Sequence, residues 1–149
     1  LRLKRIAMDD LLRELYEDVM LVHSTSPYRF YEQKDASYHL QAYNYFCGDR
    51  YDLYFEVVDG YIRQLSFYGN GCAISKAATS ILVQSMNDQP IAYARTLLEQ
   101  YDNYLKDTSG VPPTEETAVF AALQHYPARK TCAQLSWQTL HTFLKQHSL

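Results

Sequence analysis

Asp59-Gly60 divides two stretches, residues 51–58 and 61–68, whose pattern leaves little choice of fold. In the first, Tyr51, Leu53, Phe55 and Val57 alternate with Asp52, Tyr54 and Glu56, the period of a strand buried on one face. A tight hairpin turn of the I′ type needs positive φ at both central residues, and Asp-Gly supplies them cheaply. Residues 61–68 then return as the partner strand with Leu65 and Phe67 on one face. An aromatic-rich run over about residues 38–46 supplies a further strand, which makes a three-stranded antiparallel meander.

Gly69-Asn70-Gly71 breaks the strand pattern and a helical one replaces it: Ile74, Ala77, Ala78, Ile81, Leu82 and Ser85 share a stripe. Asn87-Asp88-Gln89-Pro90 ends that helix and opens another, with Ile91, Ala94, Leu98, Tyr101 and Leu105 on one face. Residues 106–116, containing Ser109-Gly110 and Pro112-Pro113, read as a connection, and a short helix follows over about 115–123. After Tyr126-Pro127 a last helix carries Ala133, Ser136, Trp137, Leu140 and Leu144. Ahead of the sheet, Asp9 or Asp10 caps a helix running to about His23, with Leu12, Leu15, Val19 and Val22 along one face. Pro27 stops it, and residues 24–37 read as loop. Strands followed by helices give an α+β fold, a small antiparallel three-stranded sheet packed with about five helices.

With 149 residues, 47% of them hydrophobic, the expectation is one domain over 1–149 with a single core. Residues 1–7 precede Met8 and are read as upstream sequence, native or added. The 14 Lys+Arg against 17 Asp+Glu, a net charge of −3, argue against a nucleic-acid partner, whose phosphates demand a basic face. The 14 tyrosines are therefore read as packing rather than as a platform for bases. No apolar run approaches the roughly 20 residues of a membrane span. Arg2, Lys4 and Arg5 are followed by Asp9 and Asp10 with no apolar segment between, which argues against a secretory signal. Together with an odd count of three cysteines, this points to a reducing cytoplasm.

All three cysteines fall at element boundaries. Cys47 lies in the Cys47-Gly48-Asp49 turn, Cys72 follows Gly69-Asn70-Gly71 at the first turn of a helix, and Cys132 lies near the start of the last helix. Helix N-termini favour the thiolate, because unpaired N–H groups and the helix dipole stabilise the anion. Residues two apart in an extended turn point the same way, so Cys47 and Asp49 face one point. Three sulfurs and one oxygen suit a tetrahedral Zn²⁺. The separations, 72−47=25 and 132−72=60, match no zinc-finger spacing. On spacing alone, metal ligation and three ordinary cysteines both remain open.

The segments Asn44-Tyr45-Phe46-Cys47-Gly48-Asp49, Gly69-Asn70-Gly71-Cys72-Ala73-Ile74-Ser75 and Tyr126-Pro127-Ala128-Arg129-Lys130-Thr131-Cys132-Ala133 resemble the three cysteine motifs of the NifU/IscU/SufU family of iron–sulfur cluster assembly proteins. The resemblance runs in order from about residue 11 to 145 and implies an IscU/NifU-N-like fold. Within the family, IscU-type proteins carry a histidine just before the third cysteine, inside a Leu-Pro-Pro-Val-Lys chaperone segment. Here Thr131 stands at that position and residues 126–130 do not keep the segment. SufU-type proteins carry an insertion between the second and third cysteines and an arginine shortly before the third, which fits residues 106–116 and Arg129. The resemblance is therefore to the SufU-like type.

That resemblance implies Zn²⁺ held by Cys47, Asp49, Cys72 and Cys132, and a sulfur acceptor working as a sulfurtransferase with a SufS-like cysteine desulfurase. In the family the first cysteine, here Cys47, leaves the metal when a desulfurase histidine replaces it, and then takes the persulfide sulfur. Downstream iron–sulfur assembly proteins are the implied recipients. The neighbouring reading is a scaffold holding iron or a 2Fe-2S cluster at the same site, and a third is a structural zinc module for protein binding. Arg129 is expected to offset the site's negative charge or to contact the desulfurase. Two departures from the family pattern are noted: Tyr45 in place of proline, expected to loosen the Cys47 turn, and Lys76 in place of a small or neutral residue. His23 reads as a packed or capping histidine, and His125 reaches the site only if the short helix folds back.

Overall fold

The structure, a computed structural model, describes residues 13–14, 17–107 and 110–149. The strands are β1 (Tyr38–Tyr43), β2 (Arg50–Val58) and β3 (Tyr61–Asn70), antiparallel in the order β1-β2-β3. A helix α1 covers residues 17–25 and ends two residues short of Pro27. After the sheet come α2 (Ala73–Met86), α3 (Ile91–Lys106), a 3₁₀ helix (Glu116–His125) and α4 (Pro127–Gln146). The α+β expectation of three strands and five helical segments matches the described residues. The caps expected at Asp9 or Asp10, and the faces of Leu12 and Leu15, lie outside them.

Asp59 and Gly60 adopt φ of 52° and 79°, as the tight turn requires. Tyr51, Leu53 and Phe55 are fully buried, but Tyr54 on the opposite face is also only 8% exposed. The register shifts between Tyr54 and Glu56, and the Tyr54 ring stacks on His39 of the neighbouring strand at 4.6 Å. A bulge with an aromatic partner thus hides a position that strict alternation leaves open.

Residues 24–37 are less of a loop than their composition suggests. Phe30 bridges Phe67 in parallel, Phe67 N–H donates to the Arg29 carbonyl at 3.2 Å, and the Arg29 side chain donates to the Leu65 carbonyl at 2.6 Å. Further along β3, Ile62 exchanges hydrogen bonds with Asp88 and Gln89 at 2.8 and 2.9 Å. The outer edge of β3 is satisfied by these two segments, which removes a site of strand-to-strand aggregation.

Helix α2 is buried nearly all round because it packs against both β3 and α4. Its stripe of Ile74, Ala77, Ala78, Ile81 and Leu82 is buried as expected, while Ser85 is only half-buried. Ser75, Thr79 and Ser80 are buried as well and each is hydrogen-bonded. Trp137, on α4, stacks on Tyr101 at 3.7 Å and donates to the Ala78 carbonyl at 2.8 Å. That one side chain ties α2, α3 and α4 together. No helix among the described residues is long and apolar enough to cross a membrane.

Candidate metal centre

The β1–β2 turn is built around Asn44. Its N–H donates to the Asp49 carbonyl at 2.9 Å, its carbonyl accepts from Gly48 N–H at 2.8 Å, and its side-chain oxygen accepts from Phe46 N–H at 3.0 Å. Gly48 supplies the positive φ, 74°, that closes the turn. Tyr45 stands outside this hydrogen-bonded frame: the residue is 85% exposed and its ring packs edge-on to Tyr43 at 4.5 Å. The strand expected to reach Phe46 stops at Tyr43 because Asn44 turns the chain.

This turn presents Cys47 outward and Asp49 inward. The Asp49 carboxylate is 2% exposed; Oδ1 accepts from Cys72 N–H at 2.9 Å, and Oδ2 lies 3.1 Å from Cys47 Sγ and 3.8 Å from Cys72 Sγ. Cys72 is the N-cap of α2, its sulfur accepting from Ser75 N–H at 3.4 Å. Gly71 has no room for a side chain, since a Cβ there would run into the Tyr51 hydroxyl, 2.6 Å from Ser75 Oγ and 2.7 Å from Asp49 Oδ1.

Cys132 arrives from the other side. Helix α4 starts at Pro127, so the cysteine sits in its second turn and not at its N-terminus, and its S–H points at the Ala128 carbonyl at 3.6 Å. The expectation that a helix N-terminus depresses this thiol is overturned. Burial first, then the Cys72 sulfur, Asp49 and Cys47, push the Cys132 thiol well up. Burial also raises the Tyr51 phenol against the opposing Ser75 hydrogen bond, with Asp49 and the Cys72 and Cys132 sulfurs adding to the rise.

One donor atom each from Cys47, Asp49 and Cys132 lies within 4.8 Å of the others. A tetrahedral zinc site with bonds of about 2.3 Å to sulfur has edges of about 3.8 Å, so small side-chain rotations would close the trio on an ion. Cys72 lies outside that tightest group but touches its carboxylate. Soft thiolates and one carboxylate within reach of a common point are a donor set that fits zinc.

Arg129 is exposed, one turn before Cys132, with its guanidinium over the Tyr126 ring at 5.6 Å. It borders two clefts. One, about 380 Å³, is lined by Asn44, Phe46, Cys47, Thr131 and Cys132; the other, about 480 Å³, by Met20, Cys72, Ile74 and Cys132. Phe46 stands fully exposed beside Cys47. Lys76, the second departure, lies with its ammonium over the Phe30 ring at 5.1 Å. His23 is buried with Nδ1 at 2.7 Å from Ser80 Oγ, a packed histidine as expected. His125 ends the 3₁₀ helix, exposed and outside the donor cluster. Sequence reasoning missed Tyr51 and Ser75 as parts of the site. Ser75 had a legible signal, standing three residues after an N-cap, whereas Tyr51 looked only like one more inward strand residue.

The chain resembles known proteins over most of its length. The chain is 26% identical over 139 residues to the iron–sulfur cluster assembly scaffold protein IscU of Thermotoga maritima, covering 93% of this chain and 98% of that protein. It is 27% identical over 131 residues to the zinc-dependent sulfurtransferase SufU of Bacillus subtilis, covering 87% and 88%. The fold is shared with a crystal structure described as an iron–sulfur cluster assembly scaffold protein for the SUF system (FiSufU) from Fervidobacterium islandicum AW-1, with a TM-score of 0.77 at 23% identity over 87% of this chain and 96% of that one. The family described as the NifU-like N terminal domain matches residues 15–133, a span that takes in all three cysteine segments and the whole sheet, and the chain belongs to it.

Proposed function

We propose that this chain is a zinc-dependent sulfur acceptor for iron–sulfur cluster assembly, taking sulfur from a cysteine desulfurase. The carrying observation is the convergence of Cys47, Asp49 and Cys132 donor atoms within 4.8 Å, with Cys72 beside them. These four residues would hold Zn²⁺, which supplies a redox-inert charge that keeps the thiolates deprotonated. Asp49 is buried, Cys132 is half-buried, and Cys72, though exposed, is held at the cap of α2 by Ser75 N–H. Cys47, exposed on a turn beside a cleft with the Asp49 carboxylate against its sulfur, is the residue able to leave.

In the transfer, Cys47 thiolate attacks the outer sulfur of the desulfurase persulfide. The S–S bond breaks, the desulfurase cysteine departs as thiolate, and Cys47 keeps the sulfur as a persulfide with no net redox change. Arg129, at the rim of the cleft that holds Cys47, would meet the anionic persulfide or an acidic surface around it. Likeness to the SufU protein named as a zinc-dependent sulfurtransferase supports this reading, as does Thr131 in the position where IscU-type proteins carry histidine.

The test is metal analysis of the purified protein, then desulfurase turnover with wild type and Cys47→Ala. One zinc per chain, stimulated turnover and a persulfide on Cys47 by mass spectrometry are expected; undiminished stimulation by the variant would sink the mechanism. A second reading is favoured by the Thermotoga maritima relative, which is named as a scaffold. It predicts that an anaerobic mixture of iron, cysteine and desulfurase leaves a cluster on the protein that passes to an apo-acceptor.

A further inference from the structure

Beneath the site lies a chain of hydroxyl groups that ligation alone does not use. The Tyr51 hydroxyl and Ser75 Oγ are 2.9 Å apart, and both residues are fully buried. Ser75 Oγ is in turn 3.5 Å from Cys72 Sγ and 3.1 Å from the Cys72 carbonyl, while Ser75 N–H already donates to Cys72 Sγ at 3.4 Å. Gly71 keeps the space open, since a side chain there would collide with both hydroxyls.

The geometry points to Tyr51 and Ser75 as a positioning relay that anchors Cys72 as the fixed sulfur ligand and so leaves Cys47 as the exchangeable one. This rests on the zinc-site reading above. With Cys72 as a thiolate, the Ser75 hydrogen turns from the carbonyl to the sulfur, because a bond to an anion is about twice as strong as a neutral one. The carbonyl loses little, as it keeps the Lys76 N–H at 3.0 Å. The Ser75 oxygen is then free to accept from Tyr51, and each bond in the row polarises the next. Cys72 Sγ thereby receives two donors from one residue. The neighbour of Cys47 Sγ is the Asp49 carboxylate, which offers a thiolate no hydrogen. A sulfur that accepts hydrogen bonds is a poorer nucleophile, and support of this kind around a ligand is worth about 10- to 100-fold in metal affinity.

The experiment measures zinc affinity by chelator competition, and the order in which iodoacetamide alkylates the cysteines, in wild type, Tyr51→Phe, Ser75→Ala and Ser75→Thr. Wild type should alkylate at Cys47 first. Ser75→Ala should bind zinc about 10- to 100-fold more weakly and bring Cys72 alkylation up to the rate of Cys47. Tyr51→Phe keeps the ring and should move both readouts the same way by less, and Ser75→Thr should restore them. Unchanged affinity and alkylation order in Ser75→Ala overturn the relay. If the wild type holds no zinc, the zinc reading falls, and the metal-free chain still decides the relay. At a pH where Cys47 and Cys72 are ionised, Ser75→Ala should alkylate several-fold faster at Cys72 with Cys47 unaltered, and equal rates in the two proteins overturn it.

Discussion

His23 is a titratable group whose surroundings oppose its charge. Its ring is buried against Ser80, whose Oγ also accepts from Tyr28 N–H at 2.8 Å. Burial lowers its pKa below the usual 6.5, only partly offset by the carboxylate of Glu116. Between the folded-state value and 6.5 the unfolded chain binds a proton that the folded chain does not, so stability rises with pH across that window. The contribution is complete above 6.5 and is lost as pH falls through the folded-state value. NMR titration of the ring should give a midpoint under 6.5, and His23→Gln should flatten the dependence of Tm on pH there; a midpoint at or above it would contradict the assignment. Gly71 gives a second prediction of the same scale. A methyl at this position meets three polar atoms at once, and overpacking of that kind costs about 1–3 kcal/mol. Gly71→Ala should therefore lower Tm and weaken zinc binding together, whereas Gly60→Ala, where a Cβ meets nothing, should lower Tm through its positive φ alone.

Helix α2 shows how an element can be polar and central at once. Thr79 Oγ1 is 2.8 Å from the Ser75 carbonyl and 2.6 Å from Ser136 Oγ on α4, so a buried hydroxyl pair joins the two helices. Removing one partner strands the other, at about 1–3 kcal/mol, while removing both exchanges a polar contact for an apolar one. Thr79→Val should destabilise in urea titrations by that amount, and adding Ser136→Ala should recover part of it; strictly additive losses would mean the pair is not coupled. The stripe from Ile74 to Leu82 told where α2 lies, because hydrophobic period reports one buried face. It did not tell that the serine and threonine faces are buried too, since that follows from what packs on the far side. The Asp59-Gly60 hairpin was legible for the opposite reason: the constraint is local and two residues state it. The edge contacts of residues 29–30 on β3 were not, because composition marks a segment as irregular without saying where its backbone groups bond. Cys132 shows the same limit at the site. Its motif placed it near a helix start, but the one turn separating it from Pro127 exchanges a dipole that favours the thiolate for partial burial beside Cys72, Asp49 and Cys47, which opposes it.

At the scale of the whole molecule, the site joins pieces that the chain brings from far apart: the β1–β2 turn, the cap of α2 and the second turn of α4. A metal held there would tie the sheet to two helices, yet it would not be what makes them fold. The core borders it through Tyr51, Ile74 and Cys132 but extends well past it, with Leu53, Phe55, Leu65, Phe67, Ile81, Leu82 and Leu140 all fully buried, and Trp137 joining three helices without any cysteine. This separates a sulfur acceptor from a structural zinc module by measurement. A ligand at a hundred-fold excess over its Kd stabilises the folded state by roughly 2.7 kcal/mol, and for a chain of this size each kcal/mol moves Tm by about 2–4 °C. Chelated protein should thus melt roughly 5–10 °C lower and keep both a cooperative transition and its near-ultraviolet signal from Trp137. Loss of the cooperative transition on chelation would mean that the metal carries the fold, and the structural-module reading would replace the one proposed. Retention of the transition fits a metal whose ligand can be exchanged in use, since a protein that unfolds whenever Cys47 lets go could not hand sulfur on.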